Sequence, residues 1–393
     1  MHAGASRLLD IVMDQSMTAP THALPCPAAG QRPIVYRDMT FETEIPSPRR
    51  STSTKDGVEL PTPPDLHKYE SPFTWKESRK AITTYLSCTV TVATAYSAGA
   101  YVAAMDQLMA AWGISEVAFA SGVTAFTVGF GIAPMVLAPF SEINGRYPVF
   151  VVTGILFVLC HIFCAVTQSF AGMLLARFFG GVGGSTFSTM VGGVVSDIYQ
   201  VEDRNTPMTL FAGAAMFGTG LGPLVSGFIA HRTSWHWIFY VQAISCGFLI
   251  FLVIVFFQET RGSVLLSRRA KAVNAWYDRC EQVGFYAHAS VATEEKPVGS
   301  DRLRWKVKAD EERESLGNMI RVSIYRPFHL LVTEPVVFFF SLWISFSWAV
   351  LYLNFSSIPL VFKTNHGFNL EQNGAVFAGM SHSSAAFPRV PHH

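Results

Sequence analysis

The stretch VAFASGVTAFTVGFGIAPMVLA-PFSEINGRYP-VFVVTGILFVLCHIFCAVTQS, residues Val117–Ser169, decides how this chain is read. Two apolar runs, Val117–Ala138 and Val149–Ser169, flank the short polar turn Pro139–Pro148. Each run matches the ~20 residues that an α-helix needs to cross ~30 Å of hydrocarbon. So short a turn makes the two helices antiparallel neighbours. Working outward, the same kind of run recurs at Ala81–Ala104, Met173–Val195, Met208–Ile229, Trp237–Phe257 and Leu331–Phe362. The last is longer than one crossing, so its ends reach the interface. Seven spans are expected. A bundle of buried helices in a soluble protein would not repeat this length with such short connections.

Composition agrees. Of 393 residues, 50% are hydrophobic, 13% aromatic and only 15% charged, against roughly 25% charged in a soluble domain. Mean hydropathy is +0.30. The 29 basic and 28 acidic residues give a formal net charge of +1, which offers nucleic acid no electrostatic footprint. Four of the six cysteines, Cys88, Cys160, Cys164 and Cys246, fall inside apolar runs. None of the six forms a zinc-like CxxC pair, and they read as small packing residues.

Five regions follow from these runs. Residues 1–79 are polar and rich in Ser, Thr and Pro, and are expected to be a disordered cytoplasmic arm. They carry no secretory leader pattern, so the first span would serve as the insertion signal. Residues 80–257 form a six-span bundle. Residues 258–330 form a charged cytoplasmic loop, in which Leu316, Met319, Ile320 and Val322 mark an amphipathic surface helix. Residues 331–380 hold span 7 and the start of an eighth span near Gly374–Met380. Residues 381–393 form an atypical tail, polar and bearing His and Pro, unlike a span.

Basic residues near the span ends set the orientation. Lys76, Arg79, Lys80, Arg146, Arg204, Arg261, Arg268, Arg269 and Lys271 fall on one side, and only Arg232 and Lys363 on the other. The N-terminus is therefore expected in the cytoplasm.

Several residues stand out chemically. Glu142, Gly145 and Arg146 share the turn between spans 2 and 3, where a guanidinium could bind helix-end carbonyls or a carboxylate and latch two helices. A plain polar turn would look the same. Arg177 lies a few residues into span 4. It either snorkels to the interface or faces a partner or wet cavity. Asp197 and Arg204 bracket the end of span 4 and read as a cytoplasmic latch. Span 5 carries Gly218, Gly222, Pro223 and Gly227, a small-residue face with a proline bend suited to close packing. No hydrolase, zinc or nucleotide motif appears, so no enzyme and no cofactor is expected. His161 and His236 read as isolated, structural residues near the interfaces.

In this order the motifs resemble those of the major facilitator superfamily, most closely the fungal twelve-span drug–proton antiporters and polyamine exporters. The resemblance covers roughly Ser71 to Met380. It rests on Pro139–Pro148, Arg177-Phe-Phe-Gly-Gly181, Ser196-Asp197 with Arg204, Gly218–Gly227, Trp235-His-Trp237-Ile-Phe239, Glu259-Thr-Arg261 and Glu334-Pro335. Departures are Ala138 where the turn motif starts with Gly, Tyr147 for a frequent basic residue, Ala133-Pro134 for Gly-Pro, and His236 for the usual Arg.

The resemblance implies an all-α membrane fold: a major-facilitator-type N-terminal six-helix bundle plus span 7, with the remainder of the second bundle missing from a C-terminally truncated chain. It implies proton-coupled efflux of drugs, toxins or polyamines by alternating access at a cavity between two halves. The partners are then a small-molecule substrate, protons and the lipid bilayer, at the plasma membrane. Arg177 would couple protons. Tyr96, Ser97, Trp343 and Trp348 would line the cavity, the tryptophans alternatively anchoring in lipid. Gly218, Gly222, Pro223 and Gly227 would form the antiporter motif. The alternative is a non-transporting seven-span receptor or regulatory fragment. The sequence leaves the oligomeric state open.

Overall fold

Seven helices in the computed structural model are long and apolar enough to cross a membrane. They are span 1 (Glu77–Trp112), span 2 (Glu116–Asn144), span 3 (Arg146–Val166), span 4 (Phe170–Ile198), span 5 (Asn205–Arg232), span 6 (Trp235–Phe256) and span 7 (Pro335–His366). The structure describes residues 34–50, 59–287 and 302–379. Most helices run past the apolar stretches that announce them, because a helix continues through the headgroup layer until a stop signal ends it. Gly113 at φ 61° and Gly145 at φ 100° supply two such stops, closing spans 1 and 2. Ser115 and Ser169 cap the starts of spans 2 and 4 with side-chain oxygens.

Two spans are not regular throughout. Span 1 tightens into a 3-10 turn at Tyr101–Ala104 before continuing as Met105–Trp112. Span 4 breaks at Met190, between Phe170–Thr189 and Val191–Ile198.

The chain divides into two compact units. The larger comprises residues 38–43, 64–273 and 306 onward, and holds all seven spans. Within it span 2 packs on span 4, span 1 on span 5, and span 3 on spans 4 and 6. Lipid supplies no hydrophobic drive between apolar helices, so close backbone approach does the work. A methyl group on Gly181 would strike the Phe126 carbonyl of span 2, and one on Gly129 would strike the Phe178 carbonyl of span 4. Gly218 and Gly222 of span 5 lie against the span 1 backbone at Val92 and Tyr96 in the same way. Gly227 instead meets Leu370 and Gly374 in the helix Leu370–Val376. That helix starts ahead of the expected Gly374 because Asn369 and Gln372 form a reciprocal capping box.

The amphipathic surface helix runs Leu316–Thr333, capped by Ser315. Span 7 follows it after Glu334 and buries only Phe355. Two ion pairs join these later elements to the bundle: Lys363–Asp106 at 3.2 Å, and Arg232–Glu371.

The smaller unit contains residues 44–63 and 274–305, with the residues up to Arg37. It brings together four short strands, β1 (Ile34–Asp38), β2 (Arg49–Arg50), β3 (Phe285–Tyr286) and β4 (Arg302–Lys306), each of β1 and β4 ending on a residue of the larger unit. They pair β1 with β4, and β2 antiparallel to β3. The helix Gly262–Gln282 contributes its last turns.

Here the expectation of a disordered arm over 1–79 is corrected for residues 34–50 and 59–79. Tyr277 Oη donates to Pro46 O at 2.9 Å and Trp276 Nε1 to Pro61 O at 2.9 Å. In the larger unit Trp75 is buried among Val90, Ile198 and Phe257. Aromatic anchors therefore order a segment that composition alone marks as loose. Residues 1–33, 51–58 and the 381–393 tail, with Cys26, lie outside the described residues. The other five cysteines are free and buried.

Candidate functional site

The turn between spans 2 and 3 builds an ionic cluster. Arg146 Nε donates to Asp197 Oδ2 at 2.5 Å, with both side chains under 10% exposed. Arg261 Nη1 reaches Asp197 Oδ1 at 3.3 Å, and its Nη2 reaches Glu142 Oε1 at 3.7 Å. The carboxylate facing Arg146 is thus Asp197 of span 4, while Glu142 turns to Arg261.

Glu259 completes the set. Its Oε1 accepts from the backbone N–H groups of Arg146, Thr260 and Arg261 at 2.9–3.1 Å, and its Oε2 from that of Tyr147 at 3.4 Å. A side chain on Gly145 would collide with this carboxylate, so glycine meets both the positive φ and the close approach. Gly193 leaves room for the Arg146 guanidinium in the same manner. Arg204 does not join. Its Nε and Nη2 cap the Tyr199 and Ser196 carbonyls at 3.0 and 2.8 Å, closing the end of span 4. A cavity of about 1010 Å³ opens beside the cluster, with Glu142 and Arg261 on one wall and Arg326 of the surface helix on another.

Arg177 sits deeper. It is 3% exposed, which discards the snorkelling alternative. Its guanidinium lies 4.5 Å from the ring centres of both Tyr101 and Phe126. Such cation–π contacts contribute ~2 kcal/mol or more when desolvated. Nε and Nη1 point at the Gly122 and Ser97 carbonyls, each at 3.4 Å, and Nη2 has no partner among the described residues. No carboxylate pairs with Arg177 among those residues.

Ser97 links Arg177 to a residue that the sequence reading sets aside. Its Oγ lies 2.7 Å from His161 Nε2, and His161 Nδ1 lies 2.7 Å from the Phe157 carbonyl. That carbonyl can only accept, so in the neutral ring Nδ1 carries the proton and Nε2 accepts from Ser97. His161 is therefore neither isolated nor at an interface. It is 4% exposed, inside the bundle. A void of about 10 Å³, close to the size of one water, is lined by His161, Arg177 and Phe239 among others. Gln242 of span 6 is fully buried beside His161.

The other candidates scatter. Tyr96 Oη lies 3.2 Å from Ser226 Oγ and pins span 1 to span 5, beside the Gly222-Pro223 bend. Trp343 is 68% exposed on span 7 and joins neither cluster, as an anchor in lipid would. Trp348 lies tilted against Tyr352, with ring centres 6.3 Å apart, and joins neither cluster. The signal for His161 was its polarity inside an apolar run, four residues after Phe157. Glu259 and Arg261 stood in a quoted motif, and only the fold gives them partners.

The family description Major Facilitator Superfamily matches residues 87–389. The chain belongs to this superfamily of membrane transporters. It is 30% identical to the transporter paaT of Penicillium rubens over 329 residues, 82% of this chain and 56% of that protein. It is 35% identical to the efflux pump atB of Aspergillus terreus over 251 residues, 64% of this chain and 48% of the relative. A bacterial homologue of the human lysosomal transporter Spinster, solved inward-facing and unoccupied, matches at 14% identity and a TM-score of 0.49, over 79% of this chain and 61% of the other. The chain spans about half the length of the curated relatives it matches. Family membership and the seven apolar helices make it a multi-pass membrane protein.

Proposed function

We propose that this chain supplies the N-terminal, proton-sensing half of an exporter of small amphipathic or cationic compounds, drugs, toxins or polyamines, at the plasma membrane. The observation that carries the reading is Arg177: a buried cation with a free Nη2, held by two rings and two weakly engaged carbonyls from spans 1 and 2. A charge at this depth is costly unless it acts. Here it can exchange partners when spans 1 and 4 shift against each other. A proton or a polar substrate atom arriving nearby would alter that exchange. The Glu142–Arg146–Asp197–Arg261 cluster, with Glu259, would lock spans 2, 3, 4 and 6 together at the cytoplasmic end in one state and release them in the other. Relatives named as transporters and efflux pumps support export.

The test expresses the sequence joined to the remaining spans of a full-length relative, in a yeast lacking its own exporters. Efflux of rhodamine 6G and labelled spermidine is followed at external pH 5 and pH 7.5. We expect pH-dependent efflux that Arg177→Ala abolishes while membrane insertion persists. Normal efflux in that variant removes Arg177 from the mechanism; no efflux of either probe overturns the substrate class.

A further inference from the structure

A second polar cavity borders the latch at Tyr147 and Glu259, and the function proposed above does not use it. It measures about 260 Å³ and is bounded by three cations from three separate elements. Lys68 comes from the 3-10 turn Leu66–Tyr69, Arg79 from the start of span 1, and Arg268 from the helix Gly262–Gln282. The Arg79 guanidinium is laid flat over Trp75 at 3.7 Å and donates to Gln258 Oε1, while its buried Nε has no partner among the described residues. Among the described residues, Arg268 Nη2 donates only to the Asn144 carbonyl, at 3.3 Å. Lys68 is 74% exposed and meets Asp65 loosely at 4.0 Å.

The wall contains one carboxylate, Glu259, and four backbone N–H groups already surround it. Glu70 attracts Arg79 from beyond ion-pair distance. The space is therefore short of negative charge and rich in fork-shaped donors suited to phosphate oxygens. A cavity at the start of span 1 would lie at the level of the headgroups. Arg79 begins span 1, and Ile82 lies roughly 4.5 Å further along the helix at ~1.5 Å per residue. Ile82 and Tyr85 on span 1, with Ile254 and Val255 on span 6, are exposed apolar residues along which acyl chains can lie.

We propose that this cavity binds the phosphate headgroup of an acidic phospholipid from the cytoplasmic leaflet. That leaflet is the anionic one. Bound there, the lipid braces the latch, because Tyr147 and Glu259 belong to both the cavity wall and the ionic cluster. The inference rests on the orientation proposed above, and it is read by binding rather than by transport.

The test uses the whole chain purified in detergent. Native mass spectrometry counts bound lipid as phosphatidic acid or phosphatidylcholine is added, and thermal unfolding reports stability. We expect phosphatidic acid to be retained at least tenfold more tightly than phosphatidylcholine and to raise the unfolding midpoint. Arg79→Gln with Arg268→Gln should lose that preference. Lys76→Gln removes a charge at the same end of span 1 outside the cavity, and should keep it. Should the double variant aggregate, the exposed Lys68→Gln carries the test, with an expected loss of threefold or more. Equal retention of the two lipids, or an equal loss in Lys76→Gln, overturns the proposal. Inorganic phosphate that displaces the lipid with matching affinity assigns the cavity to a soluble anion, and overturns the lipid as occupant.

Discussion

Arg146 and Arg177 show how the same side chain acquires different work from its surroundings. Arg146 is neutralised by Asp197 in a buried ion pair, so removing its partner strands a buried charge. Breaking such a pair costs about 3–5 kcal/mol. We expect Asp197→Asn to lower the thermal midpoint of the purified chain sharply. Glu142→Gln, whose carboxylate is 47% exposed and 3.7 Å from Arg261, should cost under about 1 kcal/mol. An equal loss in both would mean that the cluster is a solvated turn. Among the described residues Arg177 has no such counter-charge, and its neighbours are rings and carbonyls. Sequence position marked both arginines as notable. It could not say which one is paired, because Asp197 lies 51 residues from Arg146 along the chain.

At the scale of elements, packing is decided by glycines that look alike in sequence. Gly131 and Gly181 both sit in apolar helices. A methyl group at Gly131 meets nothing within 4 Å, whereas at Gly181 it runs into the Phe126 backbone. Gly131→Ala should therefore be neutral or slightly stabilising, since alanine favours helix by ~1 kcal/mol. Gly181→Ala should separate spans 2 and 4, seen as loss of monodisperse protein on size exclusion. In the smaller unit, stability should depend on acid. Burial alone would raise the Glu281 carboxyl, but hydrogen bonds from Arg304 and Arg302 outweigh it and hold it below the ordinary range. A depressed value in the folded state means stability that is present above the unfolded value of ~4.3 and lost as pH falls through the folded one. The melting midpoint of the chain should exceed that of Glu281→Gln at neutral pH, and the gap should close on acidification below that range. A gap independent of pH would show that the pair is not charged.

For the whole molecule, the testable feature is which way it faces. Five of the cysteines are buried, so introduced thiols report cleanly in a Cys26→Ser background. Glu202→Cys, in the exposed turn after span 4, should react with an impermeant maleimide only after permeabilisation. Thr233→Cys, in the exposed turn after span 5, should react in intact cells. The reverse pattern would invert the proposed topology.

The number and approximate limits of the spans were legible in residues 81–362, because a bilayer demands a fixed apolar length and tolerates few charges. The turn motif, the span 5 glycines and the family followed from local spelling. Which helix face meets protein and which meets lipid was not legible, since both are apolar and no amphipathic period separates them. That is why His161 read as isolated. Tertiary packing alone placed His161 against Ser97, gave Asp197 two arginines and enclosed Glu259 among four amides. It also ordered Pro46 and Pro61 by offering their carbonyls to Tyr277 and Trp276. Long-range hydrogen bonds and ion pairs made these choices, and such partners are set by where helices cross rather than by what precedes or follows a residue in the chain.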